Sequence, residues 1–149
     1  MNESELLSTG PGPRVDAQAV NRWFDQIPYA QLLGIEAQES GNELWFILQA
    51  NQTNVGNPLL PALHGGVVAA FMETAAVLSV MAHSGGVRVP KVIDFSTDYL
   101  RSARLQPTYA CCELGRLGKR VANVSVSAWQ GDRRDQPIAL ARAHLIWPE

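Results

Sequence analysis

The sequence has little cysteine, and this shortage excludes two classes of protein. Its 149 residues include two cysteines, which are the neighbours Cys111 and Cys112. Neighbouring residues of a strand point to opposite faces, so this pair cannot crosslink the fold as the disulfides of a small secreted domain do. The two cysteines and three histidines also lack the spacing of metal ligands, so neither a metal nor another cofactor is expected.

The sequence is also poor in charge and in long apolar runs. Charged residues make up 17% of the chain and the net charge is −2, whereas nucleic-acid-binding proteins carry an excess of Lys and Arg. The longest apolar stretch is interrupted by Glu73 and Thr74, and the N-terminal residues do not resemble a secretory signal. We therefore expect a cytoplasmic protein with neither a nucleic-acid nor a membrane partner.

Hydrophobic residues, at 46%, are abundant enough to form the core of one domain. Residues 1–14 are rich in Ser, Thr, Gly and Pro and are predicted to be a flexible arm that precedes a single domain over residues 15–149. Apolar periodicity then predicts, in order, a helix over 15–27, one helical turn over 28–34, strands over 34–40 and 43–50, and an irregular loop over 51–63.

The longest predicted helix runs from His64 to His83 and is apolar nearly all round, which predicts that it is buried. Four segments of period two follow it, at 92–100, 108–115, 121–129 and 138–147. In the first of these, four residues are predicted to share one face: Ile93, Phe95, Thr97 and Tyr99. Short connections predict that the four strands are antiparallel neighbours in a meander, which gives an α+β fold with one long helix against a curved sheet.

The start of the long helix carries the first candidate for chemistry. Gly65 and Gly66 lie where the backbone N–H groups of a helix have no partner inside it, and without side chains these amides can approach a carbonyl oxygen or an oxyanion. The alternative is that the two glycines only let the helix pack closely on the sheet. His64, just before them, is expected to shape the loop or to contact the bound oxygen.

Glu73 is the second candidate, because it is a lone carboxylate on a helical stripe of small apolar residues. Burial there would raise its pKa and suit it to act as a general base or nucleophile; the alternative is an ion pair with an arginine of a strand. Gly65 and Glu73 are eight residues apart, about 12 Å along a helix at 1.5 Å per residue. One helix cannot bring both groups to one substrate atom, but two antiparallel copies can, which predicts a dimer.

These residues resemble the hotdog-fold acyl-CoA thioesterases of the PaaI and 4-hydroxybenzoyl-CoA thioesterase type. The resemblance is carried by HGG at residues 64–66 with an acid at Glu73, by IPYAQLLGIE at 27–36 and by IDFSTDYLRSA at 93–103, and it covers roughly residues 20–147. It implies a long helix wrapped by a curved antiparallel sheet, assembly into dimers or dimers of dimers, and an acyl-CoA substrate bound across the dimer interface.

The resemblance also implies roles for individual residues. The Gly65 N–H polarises the thioester carbonyl, Glu73 attacks it or activates water, His64 supports the oxyanion side, and Thr74 helps to place the water. The chain departs from the family pattern in the loop before His64, where a common Asn and a common Gly are replaced by prolines. Asn57 lies one residue from the position of that Asn and is expected to substitute for it.

Acyl-CoA phosphates require cationic partners, which the sequence offers at strand ends and in one turn. The candidates are Arg101, Arg104, Arg116, Lys119 and Arg120. For each of them the alternative is a solvated surface residue. At the level of function, acyl-CoA hydrolysis is the first interpretation. The other two are a non-catalytic hotdog protein that binds acyl-CoA or a fatty acyl group, and a dehydratase acting on 3-hydroxyacyl thioesters.

Overall fold

The computed structural model describes residues 14–86 and 88–148 of the chain. Within them, three α-helices and eight strands follow one another in the order α1 (Ala17–Phe24), α2 (Pro28–Leu33), β1 (Ile35–Ser40), β2 (Glu43–Leu48), β3 (Val55–Asn57), β4 (Ala62–Leu63), α3 (Gly65–His83), β5 (Lys91–Tyr99), β6 (Thr108–Leu117), β7 (Val121–Gln130) and β8 (Ala139–Ile146). A single 3₁₀ turn, Gln52–Asn54, precedes β3. The predicted arm over 1–14 lies outside the described residues except for Arg14, whose guanidinium donates to Glu39.

Six of the strands form one antiparallel sheet in the order β1-β2-β6-β7-β8-β5. Along β7 and β8, buried residues alternate with residues facing outward, so one face of the sheet is apolar. That face packs on α3, whose ten buried side chains complete the core. The α+β hotdog fold predicted from the sequence is confirmed.

The predicted four-strand meander is wrong at its first step. β6, β7 and β8 are consecutive neighbours, but β5 pairs with β8 and not with β6. Residues 100–107 cross the end of the sheet, where the Leu63 N–H donates to the Ala103 carbonyl and the Leu100 N–H donates to the Ile138 carbonyl, each at 2.8 Å. Eight extended residues reach about 26 Å, well beyond the roughly 14 Å that separates strands three places apart. The short connection between β5 and β6 can therefore join strands that are not neighbours in the sheet.

Three local predictions are also corrected. The first helix ends at Phe24 instead of residue 27, because a separate helix, α2, begins at Pro28. Residues 51–63 are not irregular throughout, since β3 and β4 form a small hairpin there. Ile93 does not share the inward face of β5: a β-bulge between Val92 and Asp94 displaces it, and it is 57% exposed.

Helix α3 is the centre of the fold, as predicted. By length and composition it would also suit a membrane span, a property shared with the core helices of soluble proteins, and here the sheet covers it. One stripe of the helix is left half-buried, and it consists of small residues with one carboxylate. Its members are Val67, Ala69, Ala70, Glu73, Thr74 and Val77. We call this set the uncovered stripe.

The outer face of the sheet carries an aromatic cluster of Trp45, Tyr109 and Trp129. Arg134, from the β7–β8 loop, lies over Trp45 and Trp129 at 5.5 and 4.9 Å from the ring centroids. Its guanidinium donates to both carboxylate oxygens of Glu43, at 2.6 and 2.7 Å, and these bonds lower the pKa of Glu43 to about 2. The loop is thus tied to the outer face of the sheet, away from α3.

The two cysteines behave as their adjacency predicted. Cys111 faces outward and its thiol donates to Glu43, whereas Cys112 packs against the core. Both are free thiols, and burial raises the pKa of Cys111 to about 11. They therefore stay protonated at neutral pH.

Candidate active site at the start of the long helix

His64 caps helix α3 with its side chain. Its backbone is extended (φ −63°, ψ 131°), and the Gly66 N–H donates to its Nδ1 at 2.9 Å. Because a backbone N–H can only donate, Nδ1 must be the unprotonated nitrogen of the ring. A neutral His64 therefore carries its proton on Nε2, where it is available as a hydrogen-bond donor.

The main chain of His64 is held by residues that the sequence did not single out. The His64 N–H donates to the Asn54 carbonyl at 2.8 Å, and the Asn54 side chain, which is 3% exposed, donates to the Leu33 carbonyl at 2.9 Å. At Gly56 a Cβ atom would lie 2.7 Å from the His64 Cα, so a side chain at that position would displace the cap. No helical or strand periodicity marks Asn54 or Gly56, which explains why only the structure finds them.

The Gly65 N–H points away from the helix. The His64 carbonyl, which belongs to the same peptide unit, accepts from the Val67 and Val68 N–H groups at 3.0 and 3.2 Å. In a trans peptide the N–H points opposite to the C=O, so the Gly65 N–H points outward from the helix start. No acceptor within residues 14–86 and 88–148 is bonded to it. This amide is fit to hold a carbonyl oxygen or an oxyanion.

A cavity of about 350 Å³ lies beside Gly65. Tyr99, the last residue of β5, forms part of its wall, and the Tyr99 hydroxyl donates to the Gly65 carbonyl at 2.7 Å. Arg101 lines the same cavity, held by a 2.7 Å hydrogen bond from Nη1 to the Pro137 carbonyl. The structure thus brings together Gly65 and Arg101, which the sequence proposed, and Tyr99, which it did not.

Glu73 lies two turns further along α3, on the uncovered stripe. Among the described residues no Lys, Arg or His forms an ion pair with it, so the alternative of a structural ion pair within the chain finds no support. Next to it, the Thr74 hydroxyl donates to the Ala70 carbonyl at 2.7 Å, which leaves its oxygen able to accept from water. Glu73 remains about 12 Å along the axis from Gly65, as the helical rise requires.

The Asn57 side chain is engaged in its own turn. It is exposed in the β3–β4 hairpin, where its Oδ1 accepts from the Leu59 N–H at 3.0 Å. Its proposed part in the reaction stays a prediction. Gly66 differs from Gly65 in that its N–H is already bonded to His64, so only one of the two glycine amides is left for a ligand.

The structure separates the cationic candidates into different regions. Lys119 lines a cavity of about 510 Å³ together with Arg88, Trp147 and Ser84, the capping residue that follows α3. This cavity and the one beside Gly65 lie at opposite ends of a helix of 19 residues, about 28 Å long.

The remaining three cations differ in their surroundings. The Arg104 N–H donates to the side-chain oxygen of Gln130 at 3.1 Å, and the Arg104 carbonyl accepts from the Gln130 side chain at 2.9 Å. The backbone carbonyl of Arg120 accepts from the Trp147 N–H at 2.9 Å, which places Arg120 near the cavity at the end of α3. Arg116 pairs across β6 and β7 with Asn123. In the part of the chain that the structure describes, no group of three His, Cys, Asp or Glu residues could hold a metal ion.

Comparisons with known proteins support the fold and the family of this chain. A protein of Chromobacterium violaceum of known structure is 41% identical over 89% of this chain and 91% of its own, with a TM-score of 0.72. A thioesterase of Haemophilus influenzae shares the fold with a TM-score of 0.77; it is 18% identical over 90% of this chain and 91% of its own. A thioesterase family protein of Silicibacter pomeroyi shares it with a TM-score of 0.74, at 18% identity over 88% of this chain and 96% of its own. No curated protein sequence matches the chain.

The family model of the thioesterase superfamily matches residues 60–136, which is more than half of the chain. The matched segment contains the helix start with its free amide, the uncovered stripe and the Tyr99–Arg101 wall of the cavity. Family and fold together support thioester hydrolysis as the general activity. The chain belongs to the thioesterase superfamily.

Proposed function

We propose that this chain hydrolyses acyl-CoA thioesters to the free acid and CoA, at two equivalent sites that are each shared between the subunits of a homodimer. The observation that carries the proposal is the arrangement of α3. Its first residue, Gly65, lines a cavity, and the Gly65 N–H is bonded to no acceptor among the described residues. The only carboxylate of the helix, Glu73, lies on the uncovered stripe about 12 Å away along the same helix. Each copy thus has both parts of a site, too far apart to serve one substrate.

Strand β5 is the edge through which two copies would pair. Among the described strands it pairs with β8 alone, it is nine residues long, and it contains no proline. An edge of that kind invites pairing with another chain. Tyr99 at its end touches Gly65 at the start of α3, so β5 and α3 run in opposite directions. Antiparallel pairing of β5 about a two-fold axis would therefore set the two α3 helices antiparallel, with their uncovered stripes available to each other.

In such a dimer the groups have separate tasks. The Gly65 N–H of one subunit, at the positive end of the helix dipole, binds the thioester oxygen and stabilises the oxyanion that forms when the carbonyl carbon is attacked. The His64 Nε2–H is a second donor on the same side. Glu73 of the other subunit either attacks the carbonyl carbon or takes a proton from the attacking water. The C–S bond then breaks, and the CoA thiolate leaves and takes up a proton. Where Glu73 is the nucleophile, water then hydrolyses the anhydride between the acyl group and Glu73, which releases the free acid and restores the carboxylate.

The cavity at the end of α3 is a candidate site for the nucleotide part of CoA. If Gly65 of one subunit lies beside Glu73 of the other, the latter's Ser84 lies about 16 Å further along its helix, a span that suits an extended pantetheine arm. Lys119 and Arg88 supply positive charge there, and Trp147 supplies an aromatic face, with the Arg88 guanidinium 5.2 Å from the ring centroid. Arg101, at the other cavity, would lie nearer the acyl end.

The experiment is a panel of acyl-CoA substrates, from short to long aliphatic and aromatic acyl groups, assayed for free thiol with wild-type protein and Glu73→Gln. Loss of a general base costs about 10²–10⁴-fold in rate, so Glu73→Gln should lose at least 100-fold in kcat. The matched control is Glu113→Gln, which changes an exposed carboxylate on the outer face of the sheet and should leave kcat unchanged. The protein should sediment as a dimer or a multiple of it.

The two other functions would give different results in the same assay. A binding protein would show saturable acyl-CoA binding without thiol release. A dehydratase would convert a 3-hydroxyacyl-CoA into an enoyl product and release no thiol. Full thiol release by a monomer would contradict the shared site while leaving hydrolysis in place.

A further inference from the structure

The free Gly65 amide belongs to a segment that is flexible by composition. Glycine loses more conformational freedom on folding than any other residue, and here two glycines follow each other at a helix start. A hydrogen-bond donor stabilises an oxyanion effectively only when it is already oriented before the reaction. Some contact must therefore hold this segment in place.

The Gly65–Gly66 peptide unit is held at both of its polar atoms. Its N–H donates to His64 Nδ1 at 2.9 Å, and its carbonyl oxygen accepts from the Tyr99 hydroxyl at 2.7 Å. The first bond is local, since it comes from the residue that begins the turn. The second comes from the end of β5, 34 residues later in the chain, and it ties the start of the helix to the sheet.

The Tyr99 ring also fits against the glycine. A Cβ atom at position 65 would lie 3.4 Å from the ring carbon that carries the hydroxyl, so the ring rests on the bare Cα of Gly65. Tyr99 is 55% exposed and lines the same cavity as Gly65. Burial therefore does not explain the phenol at this position, whereas its hydroxyl has a defined partner.

We propose that Tyr99 is a positioning residue: its hydroxyl fixes the Gly65–Gly66 peptide unit and thereby keeps the Gly65 N–H aimed at the substrate oxygen. The effect on catalysis rests on the proposed thioester hydrolysis, whereas the effect on the peptide unit does not. Tyr99 does not touch the reacting atoms in this scheme, and it acts only through Gly65.

The test is Tyr99→Phe, which removes the hydroxyl and keeps the ring. Loss of one neutral hydrogen bond corresponds to roughly a 3- to 10-fold effect, so kcat should fall by about that factor while KM stays within two-fold. Incorporation of 3-fluorotyrosine at position 99, which restores a donor, should restore kcat. The matched control is Tyr29→Phe, the same change at an exposed tyrosine of α2, and it should leave the kinetics unaltered.

A second measurement does not depend on activity. Hydrogen exchange of the Gly66 amide, followed by NMR, should accelerate about 3- to 10-fold in Tyr99→Phe and stay unchanged in Tyr29→Phe. Faster exchange in a protein that hydrolyses no thioester would support the positioning role and refute the proposed function. Unchanged Gly66 exchange, or a change in KM alone, would overturn the proposal, because Tyr99 would then be only part of the cavity wall.

Discussion

Replacing Gly65 with proline removes the backbone N–H group that the proposed reaction uses as its oxyanion donor. Position 65 is the first residue of α3, where proline is well tolerated because its missing N–H has no intrahelical partner. The preceding residue, His64, has ψ 131°, which is the range that a following proline requires. The Gly65 N–H is bonded to no acceptor in the described parts of the chain, so Gly65→Pro removes none of the hydrogen bonds that these residues form.

The expected result is a stable but nearly inactive protein. Loss of one oxyanion donor typically lowers kcat about 10²–10³-fold. At a compatible position, a proline that replaces another residue stabilises a protein by about 0.4–1 kcal/mol, because it lowers the conformational entropy of the unfolded chain. The Tm of Gly65→Pro should therefore stay constant or rise. Gly65→Ala is the matched control: it adds a Cβ at the same 3.4 Å contact with Tyr99 but keeps the N–H, and it should retain activity within several-fold.

Mixing this variant with Glu73→Gln tests whether the two residues act across subunits. Each variant alone should be inactive, with both of its sites damaged. After refolding an equal mixture, half of the dimers contain one chain of each kind, and in these one site has both lesions and the other has none. Activity should therefore return to about a quarter of the wild-type value, measured as thiol release after the subunit exchange has been verified by mass spectrometry.

Two results would refute this reasoning. If folded Gly65→Pro keeps more than a tenth of wild-type kcat, the amide is not the oxyanion donor. If verified heterodimers recover no activity, Gly65 and Glu73 do not serve one site across the interface. Loss of activity in Gly65→Ala as well as in Gly65→Pro would assign the effect to the added Cβ.

Two further predictions concern regions away from the reacting atoms. Changing Lys119 and Arg120 to Ala should raise KM for acyl-CoA at least several-fold more than KM for the matching pantetheine thioester; an equal rise for both substrates would assign these residues to the solvated surface. The Arg134 bonds hold the pKa of Glu43 near 2, below its ordinary value of 4.5, so the stability they contribute is present above pH 4.5 and is lost as the pH falls towards 2. Arg134→Met should therefore weaken the dependence of the unfolding free energy on pH in that window, as followed by denaturant titrations, and an unchanged dependence would contradict this assignment.

The bounds of the long helix were predictable from the local sequence pattern. Its length follows from the unbroken run of helix-forming apolar residues after His64 and from the glycines that follow His83, so the prediction of 64–83 differs from the observed Gly65–His83 by the capping residue alone. The lone Glu73 among small residues was equally visible, because helical periodicity alone places it on their face. Both features depend on neighbours within a few residues.

The position of β5 shows where local pattern fails. The sequence marks it as a strand, but its partner is decided by where residues 100–107 cross the end of the sheet, and that path depends on hydrogen bonds to β4 and to the residue before β8. Strand propensity and period two are the same for any partner, so they could not select β8 over β6. The bulge that exposes Ile93 was hidden for the same reason.

The sequence by itself determined which elements form outside residues 51–63, which face of each is buried except at the bulge of β5, and which residues carry the candidate chemistry, because these depend on side-chain type and on spacing along one element. Only the tertiary structure decided which of the two glycine amides is free, that Asn54 and Tyr99 hold the helix start, and that the cationic residues lie at opposite ends of α3. The first depends on the rotamer of the His64 side chain and the others on contacts between residues distant in sequence, and no periodicity encodes either.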